Sequence, residues 1–319
     1  MRARAFWITA PGQGEIREEI LPPPAEGQAL VRAEASGISR GTERLVLHGH
    51  VPESQWPVMR APLQAGDFPF PVKYGYAAAG RLEDGQRVFC LHPHQDLFLA
   101  PKSMCIPIPD AVPSRRAVLA ANMETALNIN WDARPLAGER ALVIGAGVVG
   151  LLAAWLLSRV PGMAVTLVDS DPARVAVARQ LGLRFASPED APGEQELIIH
   201  ASANPAGLRQ ALALAAFEAR IVEASWYGDK EVCLPLGEAF HAKRLRLISS
   251  QVGAVAPAMR VRRSYAERMA LALSLLAEPE LDALCGPAIR FEELPARYAD
   301  LLGPAAAGEV APLCPVITY

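Results

Sequence analysis

Cysteine is scarce: five residues, Cys90, Cys105, Cys233, Cys285 and Cys314, in a chain of 319. The number is odd, the positions are scattered and no C-x-x-C occurs, which excludes a disulfide framework and a four-cysteine zinc lobe. Aromatics make up only 6% of the chain, and no basic run is interleaved with them. With 31 Lys and Arg against 34 Asp and Glu, the formal charge is −3, so nucleic acid is not an expected partner. No uninterrupted membrane span occurs either: the longest apolar stretch, Ala141 to Leu157, is broken by three glycines at fixed spacing and reads as strand, turn and helix. The N-terminus reaches Pro11 and Gly12 before any apolar core of useful length, so a signal peptide is not expected and the cytoplasm is the expected compartment.

What is present is the composition of a globular enzyme, 51% hydrophobic and 20% charged. The length exceeds one ordinary domain, so two lobes are expected. From Phe6 to about Ala120, short alternating runs such as 29–36 and 86–91 are separated by turn clusters (PGQG, PPP, EDGQ), as a mostly antiparallel β-rich unit requires. After Gly138 the texture becomes strand, helix, strand, helix to about residue 252, which predicts a parallel sheet. A helix from Tyr265, another over Leu294 to Leu302 and a closing strand PVITY complete the chain.

Gly145-Ala146-Gly147-Val148-Val149-Gly150 is a G-x-G-x-x-G that follows an apolar strand and opens a helix. In that context Gly145 makes the tight turn, Gly147 lets the backbone approach a pyrophosphate, Gly150 allows helix to pack on strand, and the helix start at Val148 and Val149 meets the phosphate charge. The second strand ends in Asp169, nineteen residues beyond Gly150, where a carboxylate accepts from an adenosine ribose and repels a 2′-phosphate. NAD is therefore expected over NADP. Asp171 before Pro172 reads as a helix cap, and Gly12-Gln13-Gly14, with no strand and helix around it, as a turn.

The segments EASGISRGTE (34–43), FPVKYGYAAAG (70–80), DGQRVF (84–89), ERALVIGAGVVG (139–150) and HASANP (200–205) resemble the medium-chain dehydrogenase/reductase superfamily, nearest to its branch of bacteriochlorophyllide hydroxyethyl dehydrogenases and zinc-type alcohol dehydrogenase relatives. The resemblance implies an α/β chain: a GroES-like β-rich catalytic domain over 1–120 and 262–319, and a doubly wound Rossmann domain over 121–261. It also implies a homodimer and contacts from Ser202, and from Arg40, to the cofactor. The family's zinc ligands fall here on Ser39, Tyr76 and Ala121, and a hydroxyl, a phenol and a methyl cannot replace two thiolates and an imidazole, so no catalytic zinc is expected.

Without a metal, side chains must handle the hydroxyl proton as hydride moves. Tyr76 inherits a ligand position, and two readings stand: proton donor or acceptor, or a ring filling the vacated pocket. Lys73, three residues earlier, would lower its pKa if the two approach. His92 and His94, spaced by two, are expected on one face. Together with His48, His50 and Cys90 they raise a nonstandard metal site, although no spacing matches a zinc pattern. Asn122 is a further polar candidate. Glu124 reads either as base or as helix cap, and Glu43 as support for the cofactor site. The leading function is NAD-dependent alcohol or ketone hydride transfer on a small polar or polyhydroxylated molecule. The alternatives are an NADPH-dependent enone or quinone reductase and a non-catalytic dinucleotide-binding protein.

Overall fold

The computed structural model describes residues 1–304 and 310–319. The chain forms two compact units, Met1–Ala121 with Met269–Tyr319, and Asn122–Arg268. The return to the first unit comes after Arg268, seven residues later than the boundary expected at 261. The reason is local: the Arg268 guanidinium donates to Glu124, Asn128 and the carbonyl of Val252, which ties the preceding segment to the second unit.

The first unit is built on two sheets. One has the order Gln13–Ile20, Arg2–Ala10, Val72–Lys73, Ala65–Gly66 and is antiparallel throughout. The other runs Cys285–Arg290, Cys314–Thr318, Gln28–Gly37, Ala78–Arg81, Arg87–Cys90, Ile106–Pro107, with Leu97–Pro101 paired to Gln28–Gly37. Among the described residues its one parallel pairing joins Cys285–Arg290 to Cys314–Thr318, so the returning C-terminal segment completes a sheet begun by the N-terminal one. Alternation puts Val31, Ala33, Ala78, Val88, Cys90 and Phe98 into one core. The turns at Gly12 and Gly85, both in the left-handed region, fall on the predicted clusters.

The second unit is a six-stranded parallel sheet. Its strands are β1 (Arg140–Ile144), β2 (Ala164–Val168), β3 (Arg184–Ala186), β4 (Gln195–His200), β5 (Ala215–Glu223) and β6 (Arg246–Ser249), in the order β3-β2-β1-β4-β5-β6. Sequential strands leave β1 in opposite directions, so the order reverses between β1 and β4, the place where ligands sit on open α/β sheets. Ala141 to Ile144 are at most 4% exposed, which is why this strand is a continuous apolar run rather than an alternating one. The helix that follows, α1 (Val148–Leu157), is apolar almost all round because Leu151 through Trp155 are all buried. Two further helices, α2 (Arg174–Gln180) and α3 (Pro205–Leu214), connect later strands. Asn204 caps α3 by accepting from the Ala206 amide at 3.0 Å, with Pro205 at the first turn. No helix among the described residues is long and apolar enough to cross a membrane.

Candidate active site

Two polar constellations stand out, one in each unit. In the second unit the β1-to-α1 turn has the geometry of a phosphate cradle. Gly145 has φ +111°, and a Cβ there would press within 2.8 Å of the Ala201 carbonyl carbon and the Ser202 amide nitrogen. A Cβ on Gly150 would run into the Gly145 carbonyl oxygen. Both glycines are therefore required by the protein's own packing. Gly147 is different: it is exposed, its φ is −74°, and an added Cβ would meet nothing within 4 Å. No side chain caps the helix it precedes, so the first-turn amides, those of Val148 and Val149 among them, keep their positive ends unanswered by a cap. The turn thus leaves open the volume a pyrophosphate needs, and the residues present fit a dinucleotide.

Asp169 closes the cradle from the end of β2. Its Oδ2 accepts from the Ala146 amide at 2.6 Å and its Oδ1 from the Asp171 amide at 2.9 Å. Each oxygen retains a free lone-pair direction for a ribose hydroxyl. Asp171 accepts from the Ala173 amide and pairs with Arg174, the helix-start role its sequence context suggested. Ser202 follows β4, with its Oγ 2.7 Å from His200 Nε2.

In the first unit, Glu43 is fully buried on the helix Arg40–Leu47 and accepts three hydrogen bonds: from the Ser39 amide at 2.7 Å, from His94 Nε2 at 3.0 Å and from the Tyr298 hydroxyl. His94 Nδ1 lies 2.8 Å from Ser36 Oγ, which lies 2.7 Å from the Tyr319 hydroxyl. The set is mutually satisfied when Tyr319 donates to Ser36, Ser36 to His94, and His94 through Nε2 to Glu43. Gly75, at φ +121°, brings the backbone against this imidazole, where a Cβ would sit 3.0 Å from Nε2. Tyr76 lies beside this network. Its ring meets Tyr74 edge-on at 6.0 Å. Burial and then the Glu43 charge push its phenol up to about 12, partly offset by the Ser39 and Thr42 hydroxyls. At neutral pH it is a protonated donor.

Several expectations need correction. Lys73 does not serve Tyr76: its ammonium pairs with Glu19 at 2.8 Å, reaches Gln95 at 2.9 Å and sits over the Trp7 ring. His92 and His94 do not share a face, since the strand ends at Cys90 and period two no longer applies. His92 stacks on Phe98 at 3.8 Å and donates through Nδ1 to the Pro93 carbonyl, and burial drives its pKa down to about 3. His48 and His50 are exposed at the end of a helix, and among the described residues no three His, Cys, Asp or Glu side chains group as a metal requires. Glu124 is neither base nor cap: it is paired with Arg268 at 3.0 Å inside the second unit, and both are buried. Arg40 does not reach toward a phosphate; its guanidinium donates to the carbonyls of Leu301 and Gly303 at the end of the helix Leu294–Leu302. Asn122 is buried at the start of the second unit. Sequence reasoning missed Ser36 as the partner of His94, Tyr298 as that of Glu43 and Tyr319 as that of Ser36, and His200 and Glu223 in the second unit. Only His200 carried a signal, as a histidine ending an otherwise apolar strand.

A family model for ketopantoate reductase PanE/ApbA matches residues 141–221, the nucleotide-cradle half of the second unit. Starvation-sensing protein RspB of Escherichia coli K12 is 24% identical over 295 residues, covering 79% of this chain and 84% of that protein. An uncharacterized zinc-type alcohol dehydrogenase-like protein of Haemophilus influenzae is 25% identical, covering 94% of this chain and 95% of its own. Among solved structures, RspB from E. coli CFT073 complexed with NADH superposes with TM-score 0.79 at 19% identity, covering 100% of this chain and 99% of that one. A putative zinc-binding dehydrogenase from Sinorhizobium meliloti bound to NADP does so with TM-score 0.79 at 19% identity, covering 100% of both. These near full-length likenesses give the chain the fold of the alcohol dehydrogenase-like structures on which it superposes, and its sequence is similar to zinc-type alcohol dehydrogenase-like proteins.

Proposed function

We propose that the chain is an NAD(P)-dependent oxidoreductase that moves hydride between a nicotinamide cofactor and a secondary alcohol or ketone on a small polar molecule, with NAD preferred and without the superfamily's catalytic zinc. The observation that carries this reading is the cradle at Gly147, open where a Cβ would stand, uncapped, and flanked by the Asp169 carboxylate. When bound, the nicotinamide supplies the hydride acceptor or donor. The chain's own residues do the rest. Gly145 and Gly150 hold the turn so that the first-turn amides face the pyrophosphate. Asp169 accepts from a ribose hydroxyl, and its charge disfavours a 2′-phosphate. Tyr76, protonated at neutral pH, donates to the substrate oxygen in reduction and takes the proton back in oxidation. Glu43, held by Ser39, His94 and Tyr298, sets the electrostatics beside that phenol. A zinc at the usual position is unsupported by the donor set at Ser39, Tyr76 and Ala121.

A homodimer belongs to the same reading. The terminal strand β6 exposes an unpaired edge with Arg246, Leu247 and Ser249 accessible, and an edge of that kind is normally covered. So does a cytoplasmic location. The test is direct: calorimetric titration of the purified protein with NADH and NADPH, then NAD reduction at 340 nm against a panel of secondary alcohols. Failure of both dinucleotides to bind at millimolar concentration refutes the proposal, and binding without turnover across the panel moves it to the non-catalytic alternative.

A further inference from the structure

Two of the five cysteines face each other across neighbouring strands of the first unit. Arg87–Cys90 and Ile106–Pro107 run antiparallel, with Val88 opposite Pro107 and Phe89 opposite Ile106. One step further along that register sets Cys90 opposite Cys105. The kind of pair follows from the ladder's alternation. The Ile108 amide donates to the Arg87 carbonyl at 3.0 Å, so Arg87 and Ile108 form a hydrogen-bonded pair, and Cys90 and Cys105, three steps on, form a non-hydrogen-bonded one. Their backbones agree: the Cys105 amide donates to the Lys102 carbonyl at 3.1 Å, and the Cys90 carbonyl accepts from the His92 amide at 2.9 Å. Pairs of this kind bring the Cα atoms to about 4.5 Å with the side chains on one face, inside the roughly 4.4–6.8 Å that a disulfide spans. Both side chains belong to the core that holds Val31, Ala78, Val88 and Phe98, and the two thiols are hydrogen-bond partners.

The thiols are not equivalent. Cys90 is 1% exposed within its strand, and the hydrogen bond to Cys105, then burial, push its pKa far up. Cys105 follows the turn Lys102–Met104, is 9% exposed, and is lowered by the same hydrogen bond against its own burial. The thiolate is the reactive form, so Cys105 is the sulfur that meets an oxidant first. The other opposed pair differs. Cys285 and Cys314 stand in register on parallel strands, but their thiols donate to the carbonyls of Arg115 at 3.5 Å and Pro315 at 3.9 Å.

We propose that Cys90 and Cys105 form a dithiol site for a small hydroperoxide, with Cys105 as the attacking sulfur and Cys90 as the resolving one. The Cys105 thiolate attacks one peroxide oxygen: an S–O bond forms, the O–O bond breaks, and the leaving oxygen takes a proton from solvent. Cys105 is then a sulfenic acid. The Cys90 sulfur displaces its hydroxyl: the S–S bond forms, the S–O bond breaks, and the hydroxide leaves as water with the Cys90 proton. Two thiols lose two electrons in all, and one hydroperoxide is reduced to an alcohol or water, with one further water released. The slight exposure of Cys105 admits a small peroxide and shuts out a bulky disulfide oxidant. One reversible bond of this sort is compatible with a reducing compartment, where a standing disulfide framework is not. The ring it closes spans residues 91–104 and takes in His94, the imidazole bonded to Glu43.

The test exposes the full chain to roughly equimolar hydrogen peroxide, alkylates it in denaturant and maps it with trypsin, which puts the two cysteines on separate peptides, 88–102 and 103–115. The expected product joins those two peptides, leaves Cys233, Cys285 and Cys314 alkylated, and reverts with dithiothreitol. In Cys90→Ser, dimedone is expected to trap a sulfenic acid on Cys105, whereas in Cys105→Ser Cys90 stays unlabelled. Mapping of the unmodified sequence decides the bond even where a variant fails to fold. Peptides 88–102 and 103–115 recovered unlinked, a bond between other cysteines, or oxidation of the exposed Cys233 ahead of the pair overturns the proposal. Dimedone on Cys90 in Cys105→Ser overturns the assigned order of attack.

Discussion

Replacing Tyr76 by phenylalanine removes one oxygen and keeps the ring, its edge-on contact with Tyr74 at 6.0 Å and its volume. The structural cost is confined to the hydroxyl, whose neighbours are the Ser39 and Thr42 hydroxyls. Losing one such interaction costs about 1 kcal/mol, well inside the roughly 5–15 kcal/mol that holds a folded domain together, so the variant should fold. The functional cost is larger if the phenol carries the proton. A positioned acid or base contributes roughly 10²-fold or more, about 2.7 kcal/mol of barrier, and that is the expected fall in kcat, with NADH affinity nearly unchanged because the ring is kept and only the proton donor is lost. The phenol at about 12 adds a second signature: kcat should show no ionisation attributable to Tyr76 between pH 7 and 10. Steady-state kinetics with the best alcohol from the panel, paired with calorimetric Kd for NADH, decide the matter. A Tyr76→Phe enzyme within twofold of wild type in kcat refutes the reasoning and returns Tyr76 to the role of a ring filling space.

NADH is expected to bind more tightly than NADPH, and Asp169→Asn should narrow the gap; tighter NADPH binding by the unmodified protein would reverse the assignment. Asn is preferred to Ala there because it keeps an acceptor for the Ala146 amide. Elemental analysis should find less than about a tenth of an equivalent of zinc, and a value near one per chain would contradict the ligand argument. His92, held neutral by burial at about 3, should make the protein acid-sensitive: between pH 6.5 and 3 the unfolded chain binds a proton the folded one refuses, so stability falls as pH falls. From pH 6.5 to 4.5 that amounts to about 2.3 kcal/mol, and His92→Gln should lose less stability than wild type over this interval in urea titrations; parallel losses would refute it. Light scattering should report a dimer at micromolar concentration, and a monomer would remove β6 as an assembly edge.

The second unit was legible in the sequence because its signals are local. A continuous apolar run, glycines at fixed spacing and an acid at the end of the next strand each depend on a few neighbouring residues, and Arg140–Ile144, Ala164–Val168 and the turn between them fall where those signals put them. The polar site residues were not legible in the same way. Lys73, His94 and Glu124 were singled out by type and by distance along the chain, yet what each does is settled by partners 54, 51 and 144 positions away, Glu19, Glu43 and Arg268. The strand ends at Cys90, and beyond it His92 goes to Phe98 and His94 to Ser36, which no two-residue period reveals. The returning C-terminal segment matters in the same way: Tyr298 and Tyr319 reach Glu43 and Ser36 only because Cys314–Thr318 pairs with Gln28–Gly37. Backbone conformation and burial are dictated largely by short-range pattern, so the sequence by itself determined the dinucleotide cradle. The proton and charge of a buried side chain depend on whichever groups long-range packing brings within about 3 Å, and that only the tertiary structure decided.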